Sequence, residues 1–239
     1  MDEHTEKTGL GFFGTVTASI SHEIKNRMAI INEQAGLLED LVLMAERSGQ
    51  PVDLATIKRL SGSVKDQVRQ GDFIIKNMNR FAHSADAPCQ TVGLKAMLDL
   101  TTHLAARAAS LKGARLQVDV DGPEVNITTD PFSLIHLIWR GIASVLKAAA
   151  PGEVLHLSCQ KGAEPAVIRI FRGSAEKKGT PQTEPADGGC LAKSLGAAVQ
   201  SDPTDGSWVI QLPKGGPVRP SEDQNGGDSK TPARRHENG

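Results

Sequence analysis

Apolar residues recur at steps of three or four along the first part of the chain, and this spacing is the feature that most limits the folds available. Between residues 10 and 48 the apolar or small positions are Phe13, Val16, Ile20, Ile24, Met28, Ile31, Ala35, Leu38, Val42 and Ala45. Such steps place all these side chains on one face of an α-helix. The segment 48–51 then favours a helix end, because Gly49 suits the C-terminal cap and Pro51 cannot continue a helix interior. We therefore expect one long helix with one buried stripe.

A second helix with the same kind of stripe is predicted over residues 53–84. Its apolar or small positions are Leu54, Ile57, Leu60, Val64, Val68, Gly71, Ile75, Met78 and Phe81. Two long helices joined by a short turn must lie antiparallel. A single hairpin leaves much of each stripe in water, so pairing of two copies into a four-helix bundle is expected. The hairpin is predicted to occupy residues 10–86 and to form a homodimer.

The pattern changes after residue 88, where short strand-like and helix-like segments alternate. Strands are predicted at 90–94, 115–121, 124–129, 154–160, 166–171 and 207–212, and helices at 95–111, 131–149 and 189–199. This order predicts an α+β sandwich over residues 89–213, with helices on one face of a mixed sheet. Residues 214–239 are rich in Gly, Pro and charge without periodicity, and we expect a disordered tail.

Composition excludes several classes of partner. The 239 residues are 38% hydrophobic and 23% charged with a net charge of −1, which gives no electrostatic basis for binding nucleic acid or an anionic membrane. No apolar run reaches the length of a membrane span, and residues 1–9 do not resemble a signal peptide. The cysteines Cys89, Cys159 and Cys190 lack metal-ligand or CxxC spacing. We expect a cytoplasmic protein with reduced cysteines and no metal.

His22 is placed to react with a phosphoryl group. It lies two residues from both Ile20 and Ile24, about 200° from the buried stripe, so its imidazole should point into solvent. An exposed imidazole is a competent nucleophile near neutral pH, and the neighbouring Glu23 can hold its tautomer or accept a proton. Asn26 lies one turn further on the same face, where an amide can orient a water molecule.

The other six histidines are predicted to be ordinary surface residues. A lone histidine on a helix is usually an ordinary surface residue, and we assign that interpretation to His4, His83, His103, His136, His156 and His236.

The segment Ser21-His22-Glu23-Ile24-Lys25-Asn26, followed by a long apolar helix, resembles the H-box of two-component histidine kinases. The resemblance covers about residues 10–85, the dimerisation and phosphoacceptor region of that family. It implies His22 as the phosphoacceptor, Glu23 as the acid/base residue and Asn26 as the residue associated with phosphatase activity. It also implies a response-regulator receiver domain as partner, and leaves open a partner histidine kinase.

In the same family an ATP-binding sandwich follows the hairpin, and the predicted order of elements is similar. Residues 134–147 match the framework of the family's N-box helix, but Arg140 and Ser144 occupy its two asparagine positions. Ser is a poorer magnesium ligand than Asn, and Arg supplies no ligand oxygen from its side chain. Residues 170–174 lack the acid expected to read adenine, and the later glycine-rich stretch is reduced to Gly188-Gly189. We therefore expect no ATP or Mg²⁺ cofactor, although Arg140 leaves open a different anionic ligand.

Three functions follow from these features. The favoured one is a histidine phosphotransferase or phosphatase that passes a phosphoryl group between His22 and a response-regulator aspartate, on a kinase-like body with a defective ATP site. The first alternative is a sensor histidine kinase that uses ATP and Mg²⁺ in an atypical site to phosphorylate His22. The second is a catalytically silent dimeric scaffold.

Overall fold

The computed structural model describes residues 3–120, 122–161, 166–173, 184–185, 189–201 and 206–213. Two long helices open the chain, α1 (Glu3–Ser48) and α2 (Leu54–His83), and they pack against each other as an antiparallel hairpin. The predicted hairpin is confirmed, and α1 begins seven residues before the predicted start at residue 10.

Local chemistry at the turn explains where the two helices end and begin. Gly49 has a φ of 65°, a left-handed conformation that glycine adopts without a steric penalty, and its N–H donates to the Ala45 carbonyl. Asp53 caps α2, because its carboxylate accepts from the backbone N–H groups of Ala55 and Thr56 at 3.0 and 3.3 Å. The Thr56 hydroxyl, followed by the Ala55 N–H, lowers the pKa of Asp53.

The buried face of α1 differs from the predicted stripe at its start. Phe12, Val16 and Ile20 are buried, whereas Phe13 is 37% exposed, so the prediction that Phe13 belongs to the buried stripe is wrong. Phe12 is buried instead because its side chain packs with the core of the second part of the chain. The spacing of residues within one helix does not reveal such a contact. Further along, Met28 and Val42 of the predicted stripe are exposed in the single chain.

The second part is an α+β sandwich, which confirms the predicted fold class. Its helices are α3 (Leu94–Leu111), α4 (Pro131–Lys147) and α5 (Gly189–Ser194). Its strands are β1 (Gln90–Gly93), β2 (Arg115–Val118), β3 (Asn126–Thr129), β4 (Val154–Lys161), β5 (Ala166–Arg172), β6 (Glu184–Pro185), β7 (Ala198–Ser201) and β8 (Trp208–Leu212).

The strands form one six-stranded mixed sheet and one small ribbon. The large sheet has the order β2-β4-β5-β8-β7-β6, in which only β2 and β4 are parallel. The strands β1 and β3 pair antiparallel, with Gln90 opposite Thr129. Along β4 and β5 fully buried aliphatic residues alternate with less buried ones, as expected for a sheet covered by helices on one face.

Helix α4 lies at the centre of the core. Asp130 caps it by accepting from the N–H groups of Phe132 and Ser133, and Pro131 fits the first turn because it has no N–H to leave unpaired. Most of its side chains from Leu134 to Leu146 are buried. The hairpin residues Phe12, Val16 and Ile20 join this core, so the hairpin and the sandwich share one apolar interior.

The predicted helix over residues 189–199 is wrong at its C-terminal end. Helix α5 ends at Ser194, and the chain then forms strand β7. Gly196 has a φ of 61°, which ends the helix and turns the chain back toward the sheet. The predicted tail, residues 214–239, lies outside the described residues.

Within the described part of the chain, no helix combines the length and the apolar character that a membrane span requires.

Candidate functional site

His22 lies on α1 with its imidazole exposed to solvent, as the helical spacing predicted. Ile20 is buried and Ile24 packs against the core, so the opposite side of this turn carries the packing. The hydroxyl of Ser21 donates to the Thr17 carbonyl at 2.8 Å, so it bonds within the helix. The His22 ring is therefore open to a partner protein.

The two predicted companions of His22 lie on different sides of it. Asn26 is exposed one turn further along the helix, on the face that carries His22. Glu23 is half-buried and lines a pocket of about 310 Å³ between α1, α2 and α3. Arg27, which lines the same pocket, donates to Gln67 Oε1 at 3.0 Å. The arrangement offers an accessible nucleophile with an amide beside it; the catalytic roles of the three residues stay predictions.

A second candidate site is a cleft of about 780 Å³ between α1, α4, α5 and β8. Arg140, Ser144 and Gly189, which the sequence assigned to the expected nucleotide site, line this one cleft. The sequence did not predict its other wall, which is formed by Thr8, Phe12 and Thr15 of the hairpin. The cleft is thus a junction between the hairpin and the sandwich.

The described residues that line the cleft carry positive charge. Arg140 and Lys147 supply two cations, and no Asp or Glu occurs among these described lining residues. Magnesium prefers oxygen ligands such as carboxylates, so this wall is poorly suited to holding it. Nor do the described residues contain a group of three or more His, Cys, Asp or Glu side chains that could hold a metal ion.

An aromatic cluster joins the hairpin to α4 at the edge of the cleft. Phe12 stacks on His136 with ring centroids 4.2 Å apart and planes 3° apart. It also contacts Phe81, Phe132 and Trp139 at centroid distances of 5.5, 5.7 and 5.6 Å. Such aromatic contacts add to the area that Phe12 buries.

His136 is not the surface residue that the sequence suggested. Its side chain is buried, and this burial, followed by the charge of Arg140, lowers its pKa from 6.5 to about 4. It is therefore neutral at pH 7 and acts as a flat packing surface for Phe12. The positive charge of the cleft comes from Arg140 and Lys147.

Trp208 packs against α4 at Gly141, where only a glycine leaves enough space for the indole. A Cβ placed on Gly141 would lie 2.7 Å from Trp208 Cδ1 and 2.7 Å from Ile170 Cδ1. The indole is 8% exposed and lines the cleft. This pair was not predicted from the sequence, although a glycine inside a strongly apolar helix was the available signal.

Arg172 lies in the segment 170–174, where the histidine-kinase family carries an acid that reads adenine. Arg172 donates to the Ala148 carbonyl at 2.7 Å and lies 3.6 Å from Glu153. It therefore ties the end of β5 to the segment that follows α4. Ser174 and Gly188, which belong to the same predicted boxes, lie outside the described residues.

His156 also differs from its predicted surface role. Its Nδ1 lies 2.5 Å from Asp119 Oδ2, and Gln117 donates to Asp119 Oδ1 at 2.7 Å. The ring stacks on Phe171 at a centroid distance of 5.5 Å. These contacts join β4 to its neighbours β2 and β5. His156 therefore has a structural role.

Three solved structures illustrate what the chain is similar to. A histidine kinase from Burkholderia phymatum aligns at 15% identity over 80% of this chain and 99% of its own, with a TM-score of 0.43. The histidine kinase AdeS from Acinetobacter baumannii aligns at 13% identity over 81% of this chain and 98% of its own, with a TM-score of 0.42. The ATP-binding domain of PrrB from Mycobacterium tuberculosis aligns at 22% identity over 54% and 98%, with a TM-score of 0.38.

No protein-family model and no curated protein matches the sequence. The solved structures named above are therefore what the chain is similar to.

Proposed function

We propose that this protein is a two-component signalling protein that relays a phosphoryl group through His22, to or from the aspartate of a response-regulator receiver domain. The observation that carries the proposal is the exposure of His22 on the unpacked side of α1, within the segment Ser21–Asn26. Receiver docking needs an open helix surface around the reacting imidazole, and the hairpin offers one here.

Transfer proceeds by nucleophilic exchange at phosphorus. A ring nitrogen of His22 attacks the aspartyl phosphate, a P–N bond forms, and the P–O bond to the receiver breaks to release its carboxylate. Glu23 is adjacent in sequence and would stabilise the ring while its charge develops. The reverse step returns the phosphoryl group to an aspartate. Asn26 would orient a water molecule that attacks the aspartyl phosphate instead, which gives inorganic phosphate and the free carboxylate.

The chemistry of the cleft favours transfer over ATP-dependent phosphorylation. Arg140 and Ser144 stand where the kinase family has two asparagines, the second of which helps to hold magnesium, and the described lining residues contain no carboxylate. The buried Trp208 fills space against Gly141, and Phe12 stacks on His136. A kinase-like hairpin and sandwich that lack the side chains for holding magnesium are suited to a phosphotransfer protein.

The exposed apolar residues of the hairpin support a homodimer. Beyond Asn26 the exposed large apolar side chains of the two helices are Met28, Leu37, Val42, Leu43, Met44, Leu54, Val68, Phe73 and Ile75. Leaving so many apolar side chains in water is unfavourable, and pairing with a second copy would cover them.

The test starts from receiver domains that carry labelled aspartyl phosphate. We expect acid-labile, base-stable label to appear on the wild-type protein and on His83→Gln, whose histidine is also exposed on the hairpin. His22→Gln should take up no label. Asn26→Ala should accept label at a similar rate but should release inorganic phosphate at least about tenfold more slowly, in line with the usual contribution of a positioned catalytic group.

A parallel reaction contains γ-labelled ATP, Mg²⁺ and no receiver. Label on His22 in this reaction would identify a kinase and overturn the proposed loss of the ATP site. If no receiver labels the wild type, and His22→Gln signals normally in cells, the protein is a scaffold.

A further inference from the structure

We propose that the pocket between α1, α2 and α3 binds a free amino acid with an aliphatic side chain. The proposed relay needs no ligand at this place, so the inference goes beyond it. The pocket has a volume of about 310 Å³, at the lower end of the range of small-molecule sites, roughly 300–1,000 Å³. The volume therefore limits the ligand to a small molecule, and the side chains that line the pocket indicate its chemistry.

Glu23 and Arg27 place opposite charges in the pocket. They are four residues apart on α1, a spacing at which a carboxylate and a cation commonly pair. Within the described part of the chain, however, no ion pair joins them. Arg27 instead donates through Nη1 to Gln67 Oε1 on α2, at 3.0 Å. The Glu23 carboxylate and Arg27 Nη2 have no hydrogen-bond partner among the described residues, so both can bind a ligand.

Asn77 is a buried polar side chain that lines the same pocket. It is 7% exposed, and its amide forms no hydrogen bond with a described residue. Buried side-chain amides are usually hydrogen-bonded, and leaving one unpaired costs free energy. The ammonium group of a ligand would donate both to the Glu23 carboxylate and to Asn77 Oδ1. The pocket thus offers acceptors for an ammonium group and, at Arg27, a donor for a carboxylate.

The other ionisable side chains that line the pocket have partners of their own. Arg69 lies 3.2 Å from Asp66 in an exposed ion pair. His103 Nδ1 lies 2.6 Å from the Asp99 carbonyl oxygen, and its ring meets Phe73 edge to face at a centroid distance of 4.8 Å. Among the described lining residues, one acid and one base are therefore left for a ligand, which suits a zwitterion.

Apolar side chains form the rest of the wall. Ile20 and Leu104 are buried, and Phe73 and Ile74 of α2 line the pocket with them. A branched aliphatic side chain suits this surface, because its burial removes apolar area from water. A simple carboxylate would leave Glu23 without an ammonium partner, and a simple amine would leave the guanidinium of α1 without a carboxylate. A small aliphatic amino acid such as leucine carries all three groups.

Isothermal titration calorimetry of the full chain with L-leucine tests the proposal. Three fragments of leucine are the controls: isocaproate lacks the ammonium group, isoamylamine lacks the carboxylate, and glycine lacks the aliphatic side chain. We expect saturable heat with leucine at millimolar concentration. Each fragment should bind at least about tenfold more weakly, because a charged hydrogen bond or the apolar contact is lost.

Matched variants locate the site on α1. Glu23→Gln and Arg27→Gln each remove one charge and should weaken leucine binding at least about tenfold. Glu33→Gln and Lys25→Gln remove the same charges from exposed positions of α1 outside the pocket, and they should bind leucine as the wild type does. Circular dichroism checks that all four variants keep their helices.

Three results would overturn the proposal: no saturable heat with leucine, a fragment that binds as tightly as leucine, or pocket variants that both bind as the wild type does. The fragment series uses the wild-type chain, so it decides the question even if a substitution disturbs the fold. The titration contains neither a receiver domain nor phosphate. Its result is therefore independent of whether His22 relays a phosphoryl group.

Discussion

At the residue scale, Gly141 and Trp208 form a tight fit inside the core. The space for a methyl group on Gly141 is occupied by the rigid indole and by Ile170, each at 2.7 Å. Overpacking of this kind costs about 1–3 kcal/mol, more than the roughly 0.5–1 kcal/mol that alanine adds to helix stability. Gly141→Ala should therefore lower the free energy of unfolding in urea.

Gly14→Ala is the matched control for this substitution. Gly14 is exposed within α1, and nothing lies within 4 Å of an added Cβ. Here only the helix propensity acts, so stability should rise by about 0.5–1 kcal/mol. Equal effects of the two substitutions would show that the indole moves aside at little cost.

Individual residues were predictable from sequence where their role is local. The exposure of His22 follows from helical spacing, and the caps Asp53 and Asp130 follow from residue type and position. The burial of His136 could not be predicted in this way, since its partner Phe12 is far away in the chain. The same holds for His156 and Asp119, which meet only when β4 pairs with β2.

At the scale of elements, the contact between α1 and α4 makes stability depend on pH. The pKa of His136 is about 4 in the folded chain and 6.5 in its ordinary state, so the unfolded chain binds more protons between these values. The contribution of His136 to the free energy of unfolding should therefore rise from pH 4 to pH 6.5 and stay level above that. Burial is the main cause that lowers this pKa, and the charge of Arg140 adds to it, whereas the stacked Phe12 carries no charge.

His136→Phe removes the titrating group and keeps a flat ring against Phe12. Between pH 4 and pH 6.5, the free energy of unfolding of the variant should rise by on the order of 2 kcal/mol less than that of the wild type, after allowance for solvent screening. His83→Gln, a change to an exposed histidine, should keep the slope of the wild type. Urea unfolding at several pH values measures all three proteins, and parallel curves would contradict the role given to His136.

Most elements were predicted because their patterns are long or their ends are marked. Both hairpin helices carry long apolar patterns, and α2 and α4 begin at the capping residues Asp53 and Asp130. Strand β7 was missed because four residues that follow a short helix carry little periodic signal, and only the φ of Gly196 separates the two. The choice of Phe12 over Phe13 depends on a contact between elements, which spacing within one helix does not contain.

At the scale of the whole molecule, the predicted homodimer should depend on the distal half of the hairpin. Val42 belongs to the predicted stripe and is 48% exposed in the single chain. A buried charge without a partner is strongly unfavourable, so Val42→Glu should convert a dimer into a monomer. Light scattering coupled to size-exclusion chromatography measures the mass directly.

Leu111→Glu provides the control for that change. Leu111 ends α3, outside the hairpin, and is 75% exposed. This variant should keep the mass of two chains. A wild-type mass of one chain would contradict the predicted homodimer.

The two halves of the hairpin have different roles in packing. Its sandwich-facing half contributes Phe12, Val16, Ile20 and Phe81 to the common core, whereas Val42, Leu43 and Leu54 near the turn remain exposed. After a gene duplication, substitutions near the turn could change which copies pair without disturbing the junction with the sandwich. Two proteins that arise from one duplication could thus stop forming mixed dimers, while each keeps the same surface around His22.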